Sequence, residues 1–154
     1  MSGTIARQLA AKHIELPNAA APVANYTPVV IANGTAFVSG QVCSWNGEFK
    51  FIGRVGGDFS AEEGRQAARM AGLNIVAQLQ NALGDLDRVK RVLRLNVFVN
   101  SAESFTEQPK VANGASDLMV EVFGEAGRHT RSAVGVAQLP LGVAVEVDAM
   151  FQVD

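Results

Sequence analysis

The chain has little cysteine, little histidine and few aromatics: one Cys, two His, one Tyr and one Trp in 154 residues. A lone cysteine, Cys43, cannot close an internal disulfide, so the sequence reads as one for a reducing, cytoplasmic compartment. The two histidines, His13 and His129, lie far apart in the chain and lack metal-ligand spacing, which argues against a histidine-built metal centre. No apolar run approaches the roughly 20 residues that a membrane span requires. Met1 to Lys12 alternates small and polar residues without an apolar core, so it does not read as a signal peptide. Thirteen Lys and Arg are spread along the chain against fifteen Asp and Glu, a net charge of −2, and this argues against nucleic acid as a partner. Internal repeats and low-complexity linkers are missing too. A single domain, residues 1–154, is expected, long enough to bury its own core.

What is present is regular. Ile5, Leu9 and Lys12 at helical spacing predict an extra amino-terminal helix within residues 1–16, ended by Pro17, with an extended Ala/Pro-rich connector after it. Asn33-Gly34, behind Val29-Val30-Ile31-Ala32, is a strong hairpin signal, with the returning strand running through Ser39-Gly40-Gln41. Ser60-Ala61-Glu62-Glu63 is a capping box. The helix it opens carries Ala68, Gly72, Ile75, Leu79 and Leu83 on one stripe and stops at Gly84. Leu93, Leu95, Val97 and Val99 alternate with polar residues and predict a strand with one buried face. A second helix starts near Pro109, with Val111, Ala115, Leu118, Met119 and Val122 inward and Gly124 as its end. Two closing strands follow, Arg131 to Ala137 and Val143 to Val153. Together these elements predict an α+β protein, a sheet with two main helices packed on one face. The sheet's other face is small and partly apolar, which fits cover by a second subunit and predicts a homo-oligomer.

The segment from Thr130 to Asp148 holds the most chemistry. Read as a hairpin turning at Leu139-Pro140, it places Arg131 and Glu146 as diagonal neighbours on one sheet face. A guanidinium can grip a carboxylate with two prongs, and a shielded glutamate can position or deprotonate water. The same pair also reads as an ordinary cross-strand ion pair, and residue pattern alone leaves both open. Cys43 reads as a small buried residue, Trp45 as a flank of the Asn46-Gly47 turn, and Arg128 to Arg131 as a small basic cluster.

The run Arg131-Ser132-Ala133-Val134 through Leu139-Pro140 to Val145-Glu146-Val147 resembles the carboxy-terminal signature of the RidA/YjgF family. Tyr26-Thr27-Pro28-Val29-Val30, Phe37-Val38-Ser39-Gly40-Gln41-Val42 and Arg94 to Val99 resemble three further family segments in the same order. The resemblance implies a chorismate-mutase-like fold with a mixed sheet, assembled as a homotrimer with ligand clefts between subunits and needing no metal or organic cofactor. It implies hydrolysis of small 2-imino or enamine acids, such as 2-aminoacrylate, to 2-keto acids and ammonia. Family members also carry an older endoribonuclease L-PSP label, and others bind small carboxylates without known turnover. By position, Arg131 is similar to the family's carboxylate clamp and Glu146 to the glutamate that orients water. Tyr26, Ser39, Gly40 and Asn113 match cleft-lining positions. Ala133 stands where the family often has cysteine, at a place used through its backbone amide. The stretch from Asn113 to Arg131 is about one turn longer than usual, which marks a divergent branch.

Overall fold

A computed structural model describes residues 3–22 and 24–154. Three α-helices, α1 (Thr4–Ala11), α2 (Ala61–Leu83) and α3 (Gln108–Phe123), alternate with seven strands. The strands are β1 (Val29–Ala32), β2 (Thr35–Val42), β3 (Ser44–Trp45), β4 (Glu48–Phe49), β5 (Val89–Asn100), β6 (Thr130–Val136) and β7 (Val145–Val153). No helix among the described residues is long and apolar enough to cross a membrane.

Local sequence explains most boundaries. Asn33 and Gly34 both take positive φ, 50° and 74°, as a two-residue turn requires, and they join β1 to β2. The capping box forms as read: Ser60 Oγ accepts from Glu63 N at 3.1 Å, and Glu63 Oε1 accepts from Ser60 N at 3.0 Å. Gly84 ends α2 at φ 79° and Gly124 ends α3 at φ 64°. The amino-terminal helix is shorter than its periodicity suggests, stopping at Ala11 with Lys12 as its cap. Its start is tied down from a distance, because the Asp87 carboxylate accepts from Thr4 N and Ile5 N, both at 2.8 Å. Those two bonds hold the Asp87 carboxyl below its ordinary pKa.

Five strands form a mixed sheet in the order β1-β2-β7-β5-β6, and β3 pairs with β4 in a separate hairpin. Neighbours are antiparallel except β5 and β6, which run parallel. This corrects the expectation that β6 and β7 form a hairpin through Leu139-Pro140. The local turn exists, a short 3₁₀ segment over Pro140–Gly142, but it carries the chain past β5 rather than back alongside β6. The alternation of β7 is as read: Val145, Val147, Ala149, Phe151 and Val153 are buried under the helices. In β5 a register shift between Val92 and Arg94 moves the buried position from Leu93 to Val92, after which Leu95, Val97 and Val99 face inward.

α2 and α3 cover that inner face and touch each other nearly backbone to backbone. A Cβ on Gly114 would collide with the Arg65 carbonyl, and one on Gly72 would lie 3.0 Å from a Leu118 methyl. Residues this small let α3 settle low over β5 and β6, which fixes the height of Asn113 and Ser116 above the sheet. Gly114→Ala is therefore expected to destabilise the fold by about 1–3 kcal/mol in urea unfolding, the usual cost of overpacking. A loss below roughly 0.5 kcal/mol would mean the helix pair separates freely.

Candidate functional site

The structure gathers the sequence-selected residues into two clusters rather than one. Phe98 of β5 is in register with Glu146 of β7 on one side and with Val134 of β6 on the other. Arg131 lies three residues before Val134, an odd number, and is paired instead with the fully buried Leu95. Glu146 thus belongs to the open sheet face and Arg131 to the helix-covered side. Two strand spacings and three residues separate their Cα atoms by about 14 Å. The expected diagonal pair on one face does not exist within the chain, and neither does an ion pair between the two side chains.

The first cluster surrounds Glu146. Between Val38 and Gln41 the pairing of β2 with β7 slips, so Ser39 and Gly40 together oppose Asp148. This bulge re-aims β2 and opens a cavity of about 280 Å³, lined by Tyr26, Ser39, Gly40, Val42, Phe49 and Glu146 among others. Gly40 has a packing reason, since a Cβ there would overlap the Glu146 carboxylate. Tyr26 sits half exposed at the rim. Ser39 Oγ is buried and, among the described residues, has no hydrogen-bond partner. Burial raises the pKa of Glu146, and the nearby Asp148 charge adds to the rise.

The second cluster surrounds Arg131 on β6. Its Nη1 donates to Asn113 Oδ1 at 2.8 Å and to Ser116 Oγ at 3.1 Å, both on α3. The chain runs from Asn113 through the end of α3 and a 3₁₀ turn at Gly124–Gly127 to β6, and the Asn113 side chain meets the arginine. Ser116 Oγ is 2.9 Å from His129 Nε2, and His129 Nδ1 is 2.6 Å from the Gly127 carbonyl. A carbonyl can only accept, so Nδ1 carries the proton; in the neutral ring Nε2 is then an acceptor and the Ser116 hydroxyl donates to it. Burial lowers the pKa of His129, the Gly127 carbonyl opposes the shift, and the Arg131 charge adds to it. A cavity of about 260 Å³ opens over Ser116, His129 and Arg131, with Asp117 and Arg128 on its wall. Ala133, two residues along the same face as Arg131, packs against the core.

Neither Ser116 nor His129 stands out in the sequence as a site residue. Thirteen positions apart, they meet only because α3 lies over β6, and no spacing rule links them. A larger groove of about 600 Å³ lies near Arg54, Ser101, Gln108 and Gly135; there Arg54 Nη2 already donates to the Ala137 carbonyl at 3.0 Å. None of the residues singled out from the sequence lines it.

Fold and clusters together define a class: an α+β protein with a mixed sheet, helices on one face, and two small cavities, one beside the bulge of β2 and one between α3 and β6. Residues 6–151 match the family model described as "YjgF/chorismate mutase-like, putative endoribonuclease". The Trypanosoma cruzi protein TCP17 is 54% identical over 154 residues, covering 99% of this chain and 96% of its own. The Agrobacterium tumefaciens protein Atu1372, of unknown function, is 42% identical with a TM-score of 0.90, over 97% of this chain and 92% of that one. A Shewanella oneidensis structure described as a "putative endoribonuclease" is 38% identical with a TM-score of 0.94, over 98% and 100% of the two chains. The chain belongs to the YjgF/chorismate mutase-like family.

The raised pKa of Glu146 carries a stability consequence. A carboxyl that binds its proton more tightly when folded costs the fold stability while ionised; the cost fades as pH falls from its raised value to the unfolded one. Glu146→Gln is expected to melt above the wild type near pH 7, with the gap closing toward about pH 4 in calorimetric scans. A variant that melts lower at neutral pH would contradict this.

Proposed function

We propose that this protein hydrolyses small 2-imino acids to 2-keto acids and ammonia in clefts completed by two subunits of a homotrimer. The observation that carries the reading is the separation of Arg131 from Glu146. One protomer offers a carboxylate-gripping half-site and a water-activating half-site on opposite sides of its sheet, and only a neighbouring copy can supply the missing half. A covering copy has a face to use. On the open side of the sheet, Arg94 donates to Asn96 and Ser132, and Asn96 donates to Asp148. Val30, Phe37 and Val134 stand about half exposed around that polar centre.

The chemistry asks little of the protein. An imine carbon is already electrophilic, so holding the substrate against a positioned water supplies most of what is needed. Arg131 and Asn113 bind the carboxylate of the imino acid. Glu146, its pKa raised by burial, accepts a proton as water adds to the C=N carbon and passes it to nitrogen; it then takes the hydroxyl proton and hands it to nitrogen as the C–N bond breaks, the C=O bond forms and ammonia leaves. Ser39, buried with a free hydroxyl, is placed to orient the water or the nitrogen. Tyr26 closes the mouth of the cavity, and Gly40 leaves room for the glutamate.

Ammonia release from enzymatically generated 2-aminoacrylate tests the reading. Arg131→Ala is expected to lower turnover roughly 10- to 100-fold, the worth of a lost charged hydrogen-bond pair. Mixed trimers separate a shared cleft from one contained in a single chain. Reassembling equal amounts of the impaired Arg131→Ala and Glu146→Gln subunits should leave roughly one quarter of the clefts with both groups intact. Recovery near that level supports the reading, and none at all would sink the two-subunit cleft. Binding of 2-keto acids without turnover of any imine would instead favour a carboxylate-binding protein. RNA cleavage that survives repurification and is lost in Glu146→Ala would favour the ribonuclease that the Shewanella relative's description suggests.

A further inference from the structure

Two groups in the Arg131 cavity have no part in the proposed reaction, Ser116 and His129. Their hydrogen bonds leave one proton with two possible positions. A serine hydroxyl has a single hydrogen. With His129 neutral, that hydrogen is committed to Nε2 at 2.9 Å, while the oxygen accepts from Arg131 at 3.1 Å. Toward the cavity Ser116 then shows only a lone pair, which repels an anion. If His129 gains a proton, Nε2 becomes the donor and the hydroxyl hydrogen is released. It can then point at a carboxylate oxygen held by Arg131, on the other side of the same hydroxyl.

We infer that Arg131, Ser116 and His129 form a proton-coupled carboxylate site, in which binding of a small carboxylate at Arg131 draws a proton onto His129. The inference rests on the reading of Arg131 as a carboxylate grip, but it does not depend on turnover. Charge balance favours the same direction. Without a ligand, an imidazolium beside the Arg131 guanidinium adds like charge to a half-buried place, which agrees with the lowered pKa of His129. A bound carboxylate offsets both cations. By linkage, the ligand raises the pKa of His129 and protonation tightens the ligand.

Other charged groups around His129 are mostly engaged. On α3, Asp117 lies 3.8 Å from Arg65 of α2. In the turn before β6, Arg128 pairs with Glu125 at 3.1 Å. From β5, Arg91 donates to the Arg128 carbonyl, and Arg94 is tied to Asn96 and Ser132 on the opposite sheet face. Arg131 is the charge that acts on the ring directly. Glu146 also has a raised pKa, so its contribution has to be removed in a control.

The test is calorimetric titration of the intact protein with 2-oxobutanoate in buffers of different ionisation enthalpy, from about pH 5.5 to about pH 7.5. The wild type and Glu146→Gln are both expected to take up a fraction of a proton on binding, and to bind roughly 3- to 10-fold tighter at the acid end. Added to Glu146→Gln, His129→Gln should still bind, with no uptake and a flat pH profile. Ser116→Ala should lose most of the acid-side gain. Only two histidines are present, so the His129 ring signal is readily followed by NMR in the unmutated protein; its pKa should rise when 2-oxobutanoate is added. Binding without proton uptake, uptake that survives His129→Gln in the Glu146→Gln background, or no binding across the range would each overturn the inference. Proton-coupled binding with no imine turnover would reject the hydrolase reading alone. Turnover that depends on Arg131 without proton uptake would reject this inference alone.

Discussion

The parallel pairing of β6 with β5 is the constraint on which the rest of the site depends. It runs in register from Arg94 and Thr130 to Asn100 and Val136, and it puts a full strand between Arg131 and Glu146. Strand geometry does the remainder. With a side-chain period of two, the odd offset between Arg131 and Val134 sends the arginine to the helix side while Glu146 stays on the open side. Had β6 paired with β7 as a hairpin, the two charges would lie as diagonal neighbours on one face of a single chain. Each instead sits in its own cavity with its own reason for being there.

Packing of very small residues gives those cavities their shapes. At Gly114 and Gly72 the two long helices meet closely enough to bring the polar face of α3 down onto β6, where Asn113 and Ser116 reach Arg131. At Gly40 the missing side chain gives the Glu146 carboxylate its place beside the bulge. Both sites thus arise where secondary structure departs from regular spacing, and the partly buried groups there have shifted pKa values.

Much of the fold is legible in the sequence because its signals are local. The Asn33-Gly34 turn, the Ser60 capping box, the stripes of α2 and α3 and the alternation of β7 each depend on residues a few positions apart. The partner of β6 is not local. Leu139-Pro140-Leu141-Gly142 specifies a turn, including a positive φ of 60° at Leu141, but says nothing about which strand the chain meets afterwards. The separation of Arg131 from Glu146 follows from that one pairing. Tyr26, Ser39, Gly40 and Asn113 are legible as site residues only through family resemblance; the first three do share a cavity with Glu146, and Asn113 reaches Arg131. Ser116 and His129 were not readable at all, because their meeting is a product of how α3 lies over the sheet.

The account's central claim is that Arg131 and Glu146 serve one ligand only when two copies meet. A crystal structure of the protein with bound 2-oxobutanoate tests it most directly. The predicted result is a carboxylate gripped by Arg131 of one subunit, with Glu146 of the neighbouring subunit facing the ligand's carbonyl carbon through a water. A ligand held by residues of a single subunit, or an Arg131 cavity with no neighbouring copy against it, would contradict the account.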